Sequence, residues 1–269
     1  MQDPVIINAL SRDRLDGFKV KGGPNWDSRL FGRYLHNLAL SNAFYPYFHA
    51  LEVLLRNRIH SALSVAHNID PARPDLYLQF PCWLDATSSF LVTDHRGIVA
   101  VAKANVIKDL RKRFGPTEAA KRHLYTPGRL VAQLTFSFWV FLFDDEYSSH
   151  GRDQGILWPR YFPEVFPHKP LGHGVVILRQ ELRRLLVVRN RIMHFERIAP
   201  WSYASARDGA LDPERIRGDV LRLLDWMEPS MSQAMRKHLS NEPFEKVYRR
   251  HLDWLAIRML MPSKPQKKP

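Results

Sequence analysis

The feature that most constrains this chain is a run of apolar residues spaced by three and four. After Asn42, the residues Phe44, Tyr47, Phe48, Leu51, Leu54, Leu55, Ile59, Ala62, Leu63 and Ala66 fall on one stripe of a helix. The spacing predicts a helix over 43–67, with Pro46 in its first turn, where a missing N–H costs little. The same period returns in later stretches, and apolar–polar alternation is nowhere sustained over five residues. There is no internal repeat and no Gly-rich phosphate loop. The expected fold is therefore all-α, a helical bundle with loop elaborations.

Start and stop signals divide the rest. An irregular lead-in covers 1–26, and Asp27 caps a helix to about residue 40. After an aromatic connection over 68–93, Thr93-Asp94 starts a helix to about 113, stopped by Gly115-Pro116, with a short one over 117–124. Thr126-Pro127 opens an apolar helix over 128–143, expected to be buried on most sides. A Pro- and aromatic-rich excursion over 144–170 precedes a helix from Leu171 that carries on until Pro200. Asp212-Pro213 starts another through Met227, and a last pattern covers 243–260. The organisation reads as one body over 27–261, or as two packed halves, 27–125 and 126–261, with a disordered basic tail over 262–269.

The charge narrows the partners. Lys and Arg number 40 against 27 Asp and Glu, a net of +13 over 269 residues, with 12 His besides. Such an excess favours a polyanion, nucleic acid through counterion release or an anionic lipid surface. The single cysteine, Cys82, excludes an internal disulfide and a Cys-based metal cage, and beside Trp83 it reads as a packed thiol. No histidine pair shows metal spacing, so no metal and no cofactor are expected. The opening residues lack a basic n-region, and the longest apolar run, Leu130 to Phe143, is too short to span a bilayer. The expectation is a soluble, cytoplasmic protein without membrane attachment.

Two strings carry possible chemistry. In Val187-Val188-Arg189-Asn190-Arg191-Ile192-Met193-His194-Phe195-Glu196-Arg197, a permanent cation, a carboxamide and a neutral-pH proton carrier are close together. These are the groups needed to cleave a phosphodiester without a metal. On a straight helix, however, Arg189 and His194 stand about 140° apart and about 7.5 Å along the axis. They act on one phosphate only if the helix ends, bends or widens near Met193, or if two copies meet. The structural alternative pairs Arg189 with Glu181 or Glu196 and leaves His194 as a C-terminal cap. The second string is Leu55-Arg56-Asn57-Arg58-Ile59-His60, preceded by Glu52. Its spacings of four put Glu52, Arg56 and His60 on one face, either as a salt-bridge ladder or as support for the same pocket. Separately, Lys103, Lys108, Arg111, Lys112 and Arg113 could track a phosphate backbone or simply face water.

Three blocks carry a resemblance. Leu51 to His60, Arg129 to Val140 and Arg189 to Glu196 resemble, in that order, three signatures of the Abi-like family of bacterial abortive-infection proteins. That family is similar to HEPN domains, helical bundles whose Arg-x4-6-His motif forms a metal-independent RNase site, usually composite between two copies. The resemblance implies an endoribonuclease of a phage-defence or toxin–antitoxin system, with RNA as substrate, an RNA or protein antitoxin as partner, and a homodimer. Its motif falls on Arg189, Asn190 and His194, with Glu52, Arg56, Asn57, His60 and Glu196 in support and Arg191 on the RNA side. Where the family often has a small residue and a second His around its motif His, this chain has Met193 and Phe195. The different-class alternative is a non-catalytic module that holds RNA or an antitoxin.

Overall fold

The computed structural model describes residues 9–19, 30–66, 83–84, 91–119, 126–148, 157–198, 212–239 and 244–248. Among them, regular structure is helical throughout. The sole β feature is an isolated bridge between Ser148 and Trp158. No described helix is long and apolar enough to cross a membrane. Cys82 and the tail over 262–269 lie outside the described residues, as do Tyr77, Phe80 and Phe90.

The lead-in contains a short helix, α1 (Arg12–Asp16), capped where Ser11 Oγ accepts the Arg14 N–H at 3.4 Å. The helices expected over 27–40 and 43–67 are one, α2 (Leu30–Ala66), with Pro46 inside it. Pro46 has no N–H to give to the carbonyl one turn back. The residues around it, Ala43, Phe44, Tyr47 and Phe48, are at most 4% exposed, so burial on both sides of the proline holds the helix through the gap. α3 (Thr93–Ala119) breaks at Gly115, where φ is 78° and ψ is 166°, and Pro116 restarts it, as the Gly-Pro stop implies. What was expected over 120–124 lies outside the described residues.

The single apolar helix expected over 128–143 is instead two, α4 (Pro127–Gln133) and α5 (Phe136–Phe141). Leu134 and Thr135 are extended between them. The Thr135 and Ser137 hydroxyls share a hydrogen bond of 2.7 Å, and the Phe138 N–H bonds the Thr135 carbonyl, so local polar groups begin a new helix instead of prolonging the old one. The excursion that follows holds a 3-10 turn (Asp145–Tyr147) and α6 (Phe162–Val165).

α7 (Val175–Met193) is shorter at both ends than the period suggests. Gly172 at φ 87° turns the chain before it, and Leu171 is 98% exposed. α8 (Pro213–Met227) starts at the expected cap, with Asp212 Oδ1 accepting the Glu214 N–H at 3.2 Å. α9 (Pro229–Leu239) was not anticipated: its described face buries only Ser232 fully, so its apolar period is weak. Of the pattern over 243–260, residues 244–248 are described and helical.

The chain divides into two compact units, and neither is a continuous half. Unit one takes Met1–His49, Val187–Arg222 and Ser230–Pro269; unit two takes Ala50–Leu186 and Leu223–Pro229. The consecutive halves 27–125 and 126–261 are therefore not the division found. Long helices cause this, since α2, α7 and α8 each begin in one unit's stretch and end in the other's. Unit one packs Phe244 edge-on against Phe44 at 5.0 Å, with Arg217 over the same ring at 4.9 Å. Unit two packs Trp83, Trp139, Phe143 and Trp158, the last two stacked 4.5 Å apart; Trp158 Nε1 donates to the Leu142 carbonyl at 2.6 Å.

Candidate functional site

The Arg-Asn…His stretch sits at the end of α7, in unit one. Val188 and Ile192 are 1% and 4% exposed, and they face the core while Arg189 and Arg191 lie half-buried to either side. The helix stops because Phe195 turns left-handed, at φ 56°. The Phe195 N–H then bonds the Ile192 carbonyl at 3.2 Å, and the Glu196 N–H bonds the Arg191 carbonyl at 2.8 Å. This paired closure satisfies carbonyls that the helix end would leave open. His194 is the cap, its N–H still bonded to the Asn190 carbonyl at 2.9 Å, and its ring is exposed.

Two side chains from elsewhere in the unit hold the segment, and a third fixes the turn that faces it. Asn37 of α2, wholly buried, donates from Nδ2 to the Glu196 carbonyl at 3.0 Å and accepts the Ile198 N–H on Oδ1 at 2.9 Å. Its amide thus pairs with the backbone as a neighbouring strand would. Arg14 of α1 donates from one guanidinium nitrogen to the His194 and Phe195 carbonyls, each at 3.4 Å, placing a cation at the negative end of α7. Arg33, 3% exposed, donates to the Phe18 carbonyl at 2.7 Å and fixes the turn after α1.

Between that turn and the segment 194–197 lies a cleft of about 560 Å³. Its walls include Asp13, Arg14, Phe18, His194, Glu196 and Arg197. Partial exclusion of water from the Arg197 guanidinium, and then the nearby charge of Arg191, lower the Arg197 pKa. Two like charges are thus held close, which an anion would relieve. The cleft can offer a proton carrier, cations for a developing negative charge and carboxylates that accept protons or hydrogen bonds.

Of the residues singled out in sequence, His194 and Glu196 come together here. Arg189 and Asn190 are not among the cleft's lining residues. They are one turn back, with an Arg189 guanidinium nitrogen donating to Asn190 Oδ1 at 3.5 Å. The helix ends at Met193, but His194 keeps the helical bond to Asn190, so the angle of about 140° between Arg189 and His194 persists within one chain. Arg14, Asp13 and Asn37 were missed. Only Ser11, as a helix cap, marks α1 in the sequence, and nothing local marks Asn37.

The second string belongs to unit two. Glu52, Arg56 and His60 are half-buried on α2 and Asn57 is exposed. His60 Nδ1 accepts the Trp83 Nε1–H at 3.1 Å, and burial lowers its pKa to about 4. His60 is therefore a neutral acceptor at pH 7 that anchors Trp83. Arg58 pairs with Glu228 at 2.7 Å. On α3, Val99, Ala102, Val106 and Leu110 are buried, while Lys108, Arg111 and Lys112 are exposed; Lys103 is half-buried, and Arg113 is held by Asp109 at 3.0 Å. Among the described residues no group of three or more His, Cys, Asp or Glu is placed to hold a metal ion.

No protein-family model, curated protein or solved structure matches this chain.

Proposed function

We propose that this chain is a metal-independent endoribonuclease that cuts single-stranded RNA by 2′-OH attack, in a bacterial phage-defence or toxin–antitoxin setting. One observation supports the chemistry best: His194 is exposed on a cleft that also holds Arg14, Arg197, Glu196 and Asp13. The setting rests on the three blocks that resemble abortive-infection proteins.

In this reading His194 takes the 2′-OH proton or delivers one to the leaving 5′-oxygen, with a carboxylate of the cleft as its counterpart. The 2′-oxygen bonds to phosphorus, the 5′-oxygen departs, and the product carries a 2′,3′-cyclic phosphate. Forked cations neutralise the phosphorane. Arg197 is one. Arg189, turned away from its own His194, would serve the His194 of a second copy, with Asn190 holding its guanidinium. That composite arrangement needs a twofold homodimer. Lys108, Arg111 and Lys112 would follow the RNA backbone, with Lys103 and Arg113 beside them.

The test is cleavage of end-labelled single-stranded RNA in EDTA. Wild type should cut and leave a cyclic phosphate, while His194→Ala should bind but lose at least about 100-fold in rate. Dependence on Mg²⁺ would sink the mechanism. Binding without cutting by wild type would favour the non-catalytic RNA- or antitoxin-binding module, for which the +13 charge also speaks.

A further inference from the structure

One residue of the cleft stands in a backbone conformation that its side chain disfavours. Phe195, at φ 56°, occupies the position where a helix closing in this way usually takes Gly or Asn. Left-handed backbone crowds any Cβ, and an aromatic residue there is an outlier that the surroundings must hold in place. Those surroundings are the two closing hydrogen bonds, the Arg14 contact to the Phe195 carbonyl, and the Asn37 clamp one residue on. Core packing is not the compensation. The Phe195 ring is 54% exposed and lines the cleft, whereas Ile198, three residues later, is 1% exposed and serves the core.

We propose that Phe195 is a base-stacking platform, offering its ring to an unpaired nucleobase of single-stranded RNA while the adjoining phosphate lies toward His194. The proposal rests on the RNA reading above and names a subsite within it. An exposed ring beside cations is the pattern by which single-stranded nucleic acid is held: the π-face takes the base and the guanidinium groups take the backbone. Arg14 and Arg197 line the same cleft as the ring, and the charge of Arg191 acts on Arg197, an interaction that a phosphate would relieve. The carboxylates of Asp13 and Glu196 also line the cleft. They repel a phosphate but accept hydrogen bonds from the exocyclic amines of bases, so they favour a strand that enters base first.

The experiment compares full-length wild type, Phe195→Gly and Phe195→Tyr for binding to a short mixed-sequence 2′-O-methyl RNA, which 2′-OH attack cannot cut. An abasic strand of equal length is the control, and thermal melting is followed in parallel. Gly suits the left-handed backbone, so Phe195→Gly should melt no lower than wild type and yet bind the RNA about tenfold more weakly or worse. Phe195→Tyr should bind as wild type does, and all three should bind the abasic strand alike. If wild type binds RNA and Phe195→Gly binds it equally well, the platform is overturned and the RNA reading stands. If wild type binds no RNA, both are overturned.

Discussion

Two strings in this chain are nearly the same. Arg56-Asn57-Arg58-Ile59-His60 and Arg189-Asn190-Arg191-Ile192-Met193-His194 differ by one added methionine. The first lies well inside α2, where four-residue spacing puts Arg56 and His60 on one face, and His60 ends half-buried against Trp83. The second runs into the end of α7, where the extra residue swings His194 about 140° from Arg189 and leaves it exposed at the cap. Burial turns one imidazole into a fixed acceptor with a pKa of about 4. The other is exposed on the cleft at the end of α7. Residue type alone therefore does not decide exposure; position relative to a helix end does in this pair.

The largest effect expected from breaking this comparison is on rate. His194→Ala should lower RNA cleavage at least about 100-fold. His60→Gln, whose carbonyl can still take the Trp83 N–H, should cut at the wild-type rate per folded molecule; equal losses in the two variants would erase the distinction. Next is Asn37→Ala, which strips partners from the Glu196 carbonyl and the Ile198 N–H. It should cost about 3 kcal/mol of stability, read as a lower urea midpoint at an unchanged slope.

The acid limb is smaller. The folded pKa of His60 is depressed to about 4 against an ordinary 6.5. Between those values the unfolded chain binds more protons, so this contribution to stability is complete above about pH 6.5, falls with pH and is gone near pH 4. From pH 6.5 to 5 the loss is about 2 kcal/mol, and His60→Gln should be flatter than wild type by that amount in urea titrations across the window. A variant that follows wild type would mean that His60 is not buried as described. The smallest effect is Arg14→Ala, about 0.5–1 kcal/mol from the lost cation at the α7 terminus, and high salt should shrink it.

Local chemistry was legible where one side chain acts on its own backbone. Asp212 caps α8, Gly115 breaks α3, and the three-and-four spacing marks α2 and α7. It misled where packing overrides a local signal. Pro46, expected in a first turn, lies inside α2, because aromatic burial on both sides outweighs one missing bond, while Leu134-Thr135 divides an apolar run that looked continuous. In the candidate site, His194 and Glu196 were readable from the motif. Arg14 and Asn37 were not, since they meet the segment 194–198 from far away in the chain.

By itself, then, the sequence determined an all-α fold, the helix starts at Thr93, Pro127 and Pro213 and a net charge of +13, because each follows from periodicity, caps or composition. Tertiary structure alone decided which of two almost identical histidines is open to solvent, which arginine stands beside it, and why a phenylalanine can sit at φ 56°. Those outcomes depend on hydrogen bonds and burial between residues remote in sequence, such as Asn37 with Glu196, and no local pattern encodes such pairs.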